Sequence, residues 1–350
     1  MSNYSSYSTF LDQDIVRGVC WSLAIISMPC NLIVIIRLLY FNYRYSKTTS
    51  KKSAFSLRHH RFAISRNPSI FLLFNLTLSD LVSSLYLLIL AFSDVYYTDY
   101  YRNKYGLYPD YSNITNDWVL SSTCTFERIL SQIALLISIL MTFVVAVDRF
   151  ILVVYPHSRR KITVKGARII SLVCWLFALV IAIVAIAYSL ESVASRPRTR
   201  RDILAQLCLT DSSRSFVVFV ITFFELFLGC SMYVTAMILY IIICVKLKQS
   251  KQFRSDSSNR IEKRISIILA SVVFTNVFTY LPITLISILG RYIPGFNSGQ
   301  LFPTLVILLY LNAAVNPILL LTMSAGAVSN GNGNKIIHSG TNTSGKINTT

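Results

Sequence analysis

Charged groups stand where a chain this apolar should carry none. Asp80 interrupts one long hydrophobic run, and the pair Asp148-Arg149 closes another that opens near Cys124. A charge at the centre of a membrane costs about 2.5–3.5 kcal/mol on insertion scales, so each needs a partner or a use. Neutral polar groups also lie inside apolar runs: Asn31, Asn75, Ser138, Asn276, Asn312 and Asn316. The chemistry open to such a set is electrostatic. Asp80 reads either as an uncharged buried carboxyl or as the hub of a polar centre in which Ser138, Asn312 and Asn316 gather around a cation or waters. Asp148-Arg149 reads either as an interfacial anchor or as an ion pair that can be broken. No pairing of nucleophile with base supports an enzyme. No Cys-x-x-Cys or His-rich spacing suggests zinc.

The elements that position these residues follow from composition. The chain has 350 residues, 54% hydrophobic and 14% charged, against about 25% charged in soluble domains. This is the composition of a polytopic membrane protein. Residues 129–147 hold only Ser131, Gln132, Ser138 and Thr142 as polar groups, which marks a membrane-crossing helix. Cys124 precedes Arg149 by 25 positions, roughly 37 Å of helix. That exceeds the roughly 30 Å hydrocarbon core, so the cysteine and the Asp-Arg pair sit at opposite faces. Seven spans emerge at about 18–41, 68–93, 121–155, 167–190, 216–246, 261–289 and 300–323. The expected fold is an all-α, seven-helix transmembrane bundle. Residues 1–17 form a short leading segment with no cleavable signal, and 324–350 read as a disordered cytoplasmic tail rich in Gly, Ser, Asn and Thr. Pro282 and Pro317 fall inside the sixth and seventh spans, where a lost backbone hydrogen bond allows a hinge.

Loops one, three and five carry nineteen Lys or Arg, against nine on the other face. The positive-inside rule then puts the N-terminus outside. The net charge of +18 is explained by this topology, and nucleic acid is not an expected partner. Asn3-Tyr4-Ser5 and Asn113-Ile114-Thr115 face outward as glycosylation sites at Asn3 and Asn113.

The ordered motifs resemble those of rhodopsin-like (class A) G-protein-coupled receptors across all seven spans. They are Asn31-Leu-Ile-Val34, Asn75-Leu-Thr-Leu-Ser-Asp80, Trp118 with Cys124, Asp148-Arg149-Phe150, Trp175 and Asn316-Pro317. Further stretches resemble the leucine-rich-repeat-containing relaxin and glycoprotein-hormone receptors. These are the stretch from Ser84 to Asp94, Phe274-Thr-Asn-Val-Phe-Thr-Tyr-Leu-Pro282, Ile293-Pro-Gly295 and the stretch from Leu311 to Leu319. With only residues 1–17 before the first span, no large ectodomain is expected. The sequence departs from the family pattern at Tyr280, where a tryptophan is usual, at Leu320 in place of the Asn-Pro-x-x-Tyr tyrosine, and at Met232 in place of the fifth-span proline. The amphipathic helix usual after the seventh span is also missing.

The resemblance implies a plasma-membrane, multi-pass receptor that passes an extracellular signal to a heterotrimeric G protein, with membrane lipid as its solvent. Ser131 replaces the aspartate of amine receptors, so a peptide is favoured over an amine, and Glu127, Arg128 and Glu225 are candidates to line an outer pocket or to anchor at the interface. Sodium is the cation implied at Asp80; no other cofactor is expected. An acid at Glu262 is expected to pair with Arg149 and Asp148 at rest, although Lys263, Arg264 or the helix dipole offers it another role. Tyr240, Asn276, Tyr280, Pro282 and Pro317 complete the expected switch. Cys124 and Cys208 both fall on the oxidising side, while the other five cysteines lie in or beside spans, so these two are expected to form a disulfide. The alternatives are a seven-helix transporter or channel, for which no inverted repeat or ring of charge is found, and a receptor-shaped protein that does not signal.

Overall fold

The computed structural model describes residues 14–48, 64–105, 117–156, 161–195, 207–210, 215–249, 266–280, 282 and 307–321. Asn3, Asn113, Glu262 and the tail 324–350 lie outside these residues. The seven main helices among the described residues are α1 Asp14–Thr48, α2 Pro68–Tyr105, α3 Ser122–Val154, α4 Val164–Ser195, α5 Phe216–Gln249, α6 Ser266–Tyr280 and α7 Asn312–Leu321. A 3-10 turn, Leu309–Leu311, leads into α7. Helices α1 to α5 are long and apolar enough to cross a bilayer, and α6 and α7 are shorter apolar segments. The fold is the expected all-α, seven-helix bundle.

Helix starts carry their caps. Asn67 Oδ1 accepts from the Ser69 amide at 3.0 Å, with Pro68 opening α2, a position where its missing N–H costs nothing. Ser121 Oγ accepts from Cys124 N at 3.1 Å to start α3. Thr163 Oγ1 accepts from Gly166 N at 3.1 Å to start α4. Pro156 follows the end of α3, where the preceding residue is steered away from helical backbone.

Helix α2 runs twelve positions past the expected span end at Ser93, so Asp94 and Asp99 are helical rather than in a loop. The cause is packing. Asp94 is fully buried and accepts from Arg17 of α1 at 2.8 Å. The Tyr97 ring packs at a tilt against Tyr101 and Trp118, and Lys104 pairs with Asp117 at 2.6 Å.

Helix α4 turns large apolar side chains such as Ile169, Leu176 and Val180 outward. It packs inward through Ala167, Ser171, Ala178, Ala182, Ala185 and Ser189, all buried. Small residues on one face let helix backbones approach closely, which is how helices associate where lipid removes the hydrophobic drive.

The core is two apolar clusters. One, from Ile64 and Leu72 to Leu140, Tyr240 and Val273, fills the half nearer Asp148-Arg149. The other, from Val16 and Cys20 to Tyr86, Trp118, Cys124 and Tyr310, fills the half around the disulfide. Between them along the helices lie buried polar groups: Ser27 and Asn31 on α1, Ser79, Asp80, Ser83 and Ser84 on α2, and Asn316 on α7.

Candidate functional site

The polar layer is the first part of the site. Asn31 Nδ2 donates to Ser84 Oγ at 3.2 Å and to the Ala313 carbonyl at 2.8 Å, so one side chain on α1 reaches both α2 and α7. Asn316 Nδ2 donates to Asp80 Oδ2 at 3.0 Å. Asn75 accepts from Trp175 Nε1 at 3.2 Å, which ties α2 to α4. Of the four residues expected at a cation centre, Asp80 and Asn316 are in contact. Ser138 is buried on α3. Asn312 and Asn316 each bury an Oδ1 atom with no hydrogen-bond partner among the described residues. A carboxylate in contact with an amide whose oxygen has acceptor capacity left over is chemistry suited to a hard cation.

The second part lies where α3 ends. Arg149 and Asp148 are both buried, with Nε 4.0 Å from Asp148 Oδ2. Ser69 of α2 donates to the same Oδ2 at 2.5 Å. Arg149 Nε and the Tyr240 hydroxyl are buried without hydrogen-bond partners among the described residues, and the phenol sits within reach of the Arg149 charge. The pair is therefore not a partly exposed one. Both charges have lost water, the condition in which desolvation offsets attraction.

The third part links α6 to its neighbours. Asn276 donates to Thr142 Oγ1 of α3 at 3.2 Å. Tyr280, at the expected switch position, donates to the Glu225 backbone carbonyl of α5 at 3.2 Å and packs against Tyr233 with ring centroids 5.2 Å apart. The Tyr280 ring lies on Gly229. A Cβ built there would fall 2.6 Å from ring carbon Cζ and 2.7 Å from Cε1, so glycine is the residue that admits this contact. Pro282 is exposed and Pro317 buried.

The opposite end is closed covalently. Cys124 and Cys208 form a disulfide, 84 positions apart. Tyr86 donates to the Leu207 carbonyl at 2.7 Å, and Leu207 and Cys208 are fully buried. Cys208 has φ of 50°, a left-handed conformation uncommon outside glycine. Of the residues expected at an outer pocket, Glu127 and Arg128 are fully buried. Glu127 accepts from Ser93 of α2 at 2.8 Å, and Arg128 Nη2 lies 3.6 Å from Cys124 Sγ. Half-buried Glu225 accepts from Gln132, which in turn lies 3.5 Å from the hydroxyl of Thr210. Sequence reasoning did not single out Ser69, Gly229 or Tyr233, and it named Thr142 only as a polar group of the third span. A glycine inside an apolar helix was the one available signal, and it does not name its neighbour.

This assembly is that of a seven-helix membrane receptor. The family model described as "7 transmembrane receptor (rhodopsin family)" matches residues 57–320, and the chain belongs to that family. It is a multi-pass protein of the plasma membrane and, as a member of a receptor family, not an enzyme. It is 23% identical to the follicle-stimulating hormone receptor of Cairina moschata over 312 residues, 87% of this chain and 38% of that protein. It is 24% identical to the G-protein coupled receptor GRL101 of Lymnaea stagnalis over 180 residues, 51% of this chain and 13% of that protein. It is 22% identical to the thyrotropin receptor of Ovis aries over 309 residues, 87% of this chain and 34% of that protein. The chain thus spans well under half the length of these curated relatives.

Gly229→Ala is expected to lower the thermal midpoint of detergent-purified protein, because overpacking of a filled core costs about 1–3 kcal/mol, more than the roughly 1 kcal/mol of helix propensity that alanine brings. Adding Tyr280→Leu should recover most of the loss. An unchanged midpoint in Gly229→Ala would show that Tyr280 does not depend on the glycine.

Proposed function

We propose that this chain is a G-protein-coupled receptor whose N-terminal face is extracellular and whose ligand is of peptide type. The observation that carries the reading is the buried Arg149, a permanent cation held 4.0 Å from Asp148, with Nε lacking a hydrogen-bond partner among the described residues. A charge left incompletely satisfied favours a second arrangement in which it gains new partners. Orientation is supported by two independent facts. The disulfide sits at the end of the bundle opposite Asp148-Arg149, and disulfides persist on the oxidising side. The basic loops lie at the other end.

An outside ligand can shift such an equilibrium only by its differential affinity for the two states. The path available to it runs through Gln132, Glu225 and Tyr280 to α6. Glu262 would add the cross-helix partner of Arg149 at rest, and release would accompany movement of α6 about Pro282. The peptide-type ligand follows from Ser131 in place of an acid and from the hormone receptors among the relatives.

A sodium ion at Asp80 belongs to the same proposal. Asp80, with the spare Oδ1 atoms of Asn312 and Asn316, would hold it, and its charge would compensate a carboxylate removed from water. Sodium chloride in place of choline chloride should raise the thermal midpoint of the wild type and leave that of Asp80→Asn where it was. Equal responses would make Asp80 purely structural.

The function is tested by G-protein activation in cells at matched surface level. Glu262→Ala should raise basal signalling, by up to about tenfold for a gap shift of about 1.4 kcal/mol, and Arg149→Ala should lower coupling. If Glu262→Ala signals at the wild-type level and Arg149→Ala couples fully, α3 is not the switch. If no variant or wild-type chain activates any G protein, the chain is receptor-shaped without signalling.

A further inference from the structure

Between α5 and α6 a groove opens on the outer surface of the bundle, in the half that holds Arg149. It encloses about 250 Å³, and its walls include Met237, Ile241, Val245 and Lys248 of α5 and Val273 and Phe274 of α6. The α5 residues recur every three or four positions, so they form one stripe. Ile241, Val245 and Phe274 are 56%, 48% and 56% exposed. In a membrane-spanning bundle such faces meet hydrocarbon, not water. The groove ends at Lys248 in the last turn of α5, which also carries Lys246 outside the groove, and none of its lining residues is acidic. Among the described residues Lys248 has no ion-pair partner.

We propose that this groove is a binding site for an anionic phospholipid. The acyl chain lies along Ile241, Val245 and Phe274, and the phosphate meets the Lys248 ammonium. The argument is one of charge and depth. A long lysine stem can follow apolar surface while its head reaches the interface, and the anionic leaflet is the cytoplasmic one. Both conditions are met at the end of α5 if the basic loops are inside. The site therefore rests on the orientation given above, and it adds to that reading a ligand of defined class on the helix pair that the switch would move. A zwitterionic lipid would fill the apolar part equally and offer the same phosphate, but its choline cation cancels the net charge, so the anionic headgroup gains more from Lys248.

The test uses the full chain in phosphatidylcholine nanodiscs doped with a photoactivatable phosphatidylserine or, in parallel, with a phosphatidylcholine bearing the same photoactivatable acyl chain. Cross-linked peptides are mapped by mass spectrometry. The phosphatidylserine probe should label 237–248 and 266–274 in preference to the phosphatidylcholine probe. Lys248→Gln should cut that labelling about fivefold, what one basic residue near an anionic surface is worth, while Lys246→Gln should change it less. Ala270→Trp, which fills the groove, should abolish it. Equal labelling by the two probes, or labelling that survives Lys248→Gln, would reduce the groove to ordinary contact with bulk lipid and overturn the proposal. Wild-type coupling to a G protein is read separately, so failure here leaves the receptor reading standing.

Discussion

A buried carboxylate in the middle of a membrane protein constrains everything around it. Asp80 is 1% exposed and lies between two apolar clusters. Without water, it must find its hydrogen bonds on neighbouring helices or bear the full cost of desolvation. Asn316 supplies one from α7, and Asn31 joins α1 to the same assembly through Ser84 and the Ala313 carbonyl. Three helices are thereby fixed in register at one depth. An apolar interface could slide by a turn with little penalty in lipid; this one cannot, because sliding strands the amides and the carboxyl together.

The two ends of the bundle are held differently. At the disulfide end the Arg17–Asp94 pair ties α1 to α2, Ser93–Glu127 ties α2 to α3, the Lys104–Asp117 pair and the Tyr97–Trp118 ring contact tie α2 to the segment before α3, and Cys124–Cys208 ties α3 to the segment at 207–210. At the other end the described polar links include Ser69 on Asp148, Arg149 at 4.0 Å from the same oxygen, and Ser65 on Asn42. Between the ends, α6 hangs on Asn276–Thr142 and on Tyr280, whose contacts to α5 depend on a glycine opposite.

Much of this was legible in the sequence because membranes make polar residues conspicuous. Asp80, Asn31, Asn316, Asp148 and Arg149 stand out from apolar runs, and helix count follows from hydropathy alone. Partners were harder to read. Asn31 and Ala313 are 282 positions apart, and the acceptor is a backbone carbonyl, which no side-chain pattern reveals. The length of α2 was missed for a similar reason: Asp94 reads as a loop residue until Arg17, 77 positions earlier, is seen to neutralise it. Glu127 and Arg128 read as lining an outer pocket or anchoring at the interface, and both are buried, Glu127 on Ser93 of α2 and Arg128 beside Cys124.

The central claim is that Asp80 and Asn316 act as one unit locking α2 to α7. A double-mutant cycle on thermal stability, with Asp80→Ala, Asn316→Ala and the double variant in the same detergent and salt, measures it directly. The account predicts non-additivity: the double variant should be more stable than the sum of the single losses implies, by about 1 kcal/mol, within the range seen for contacting polar groups. Additive losses would contradict it, and would mean that each residue is held by its own helix alone.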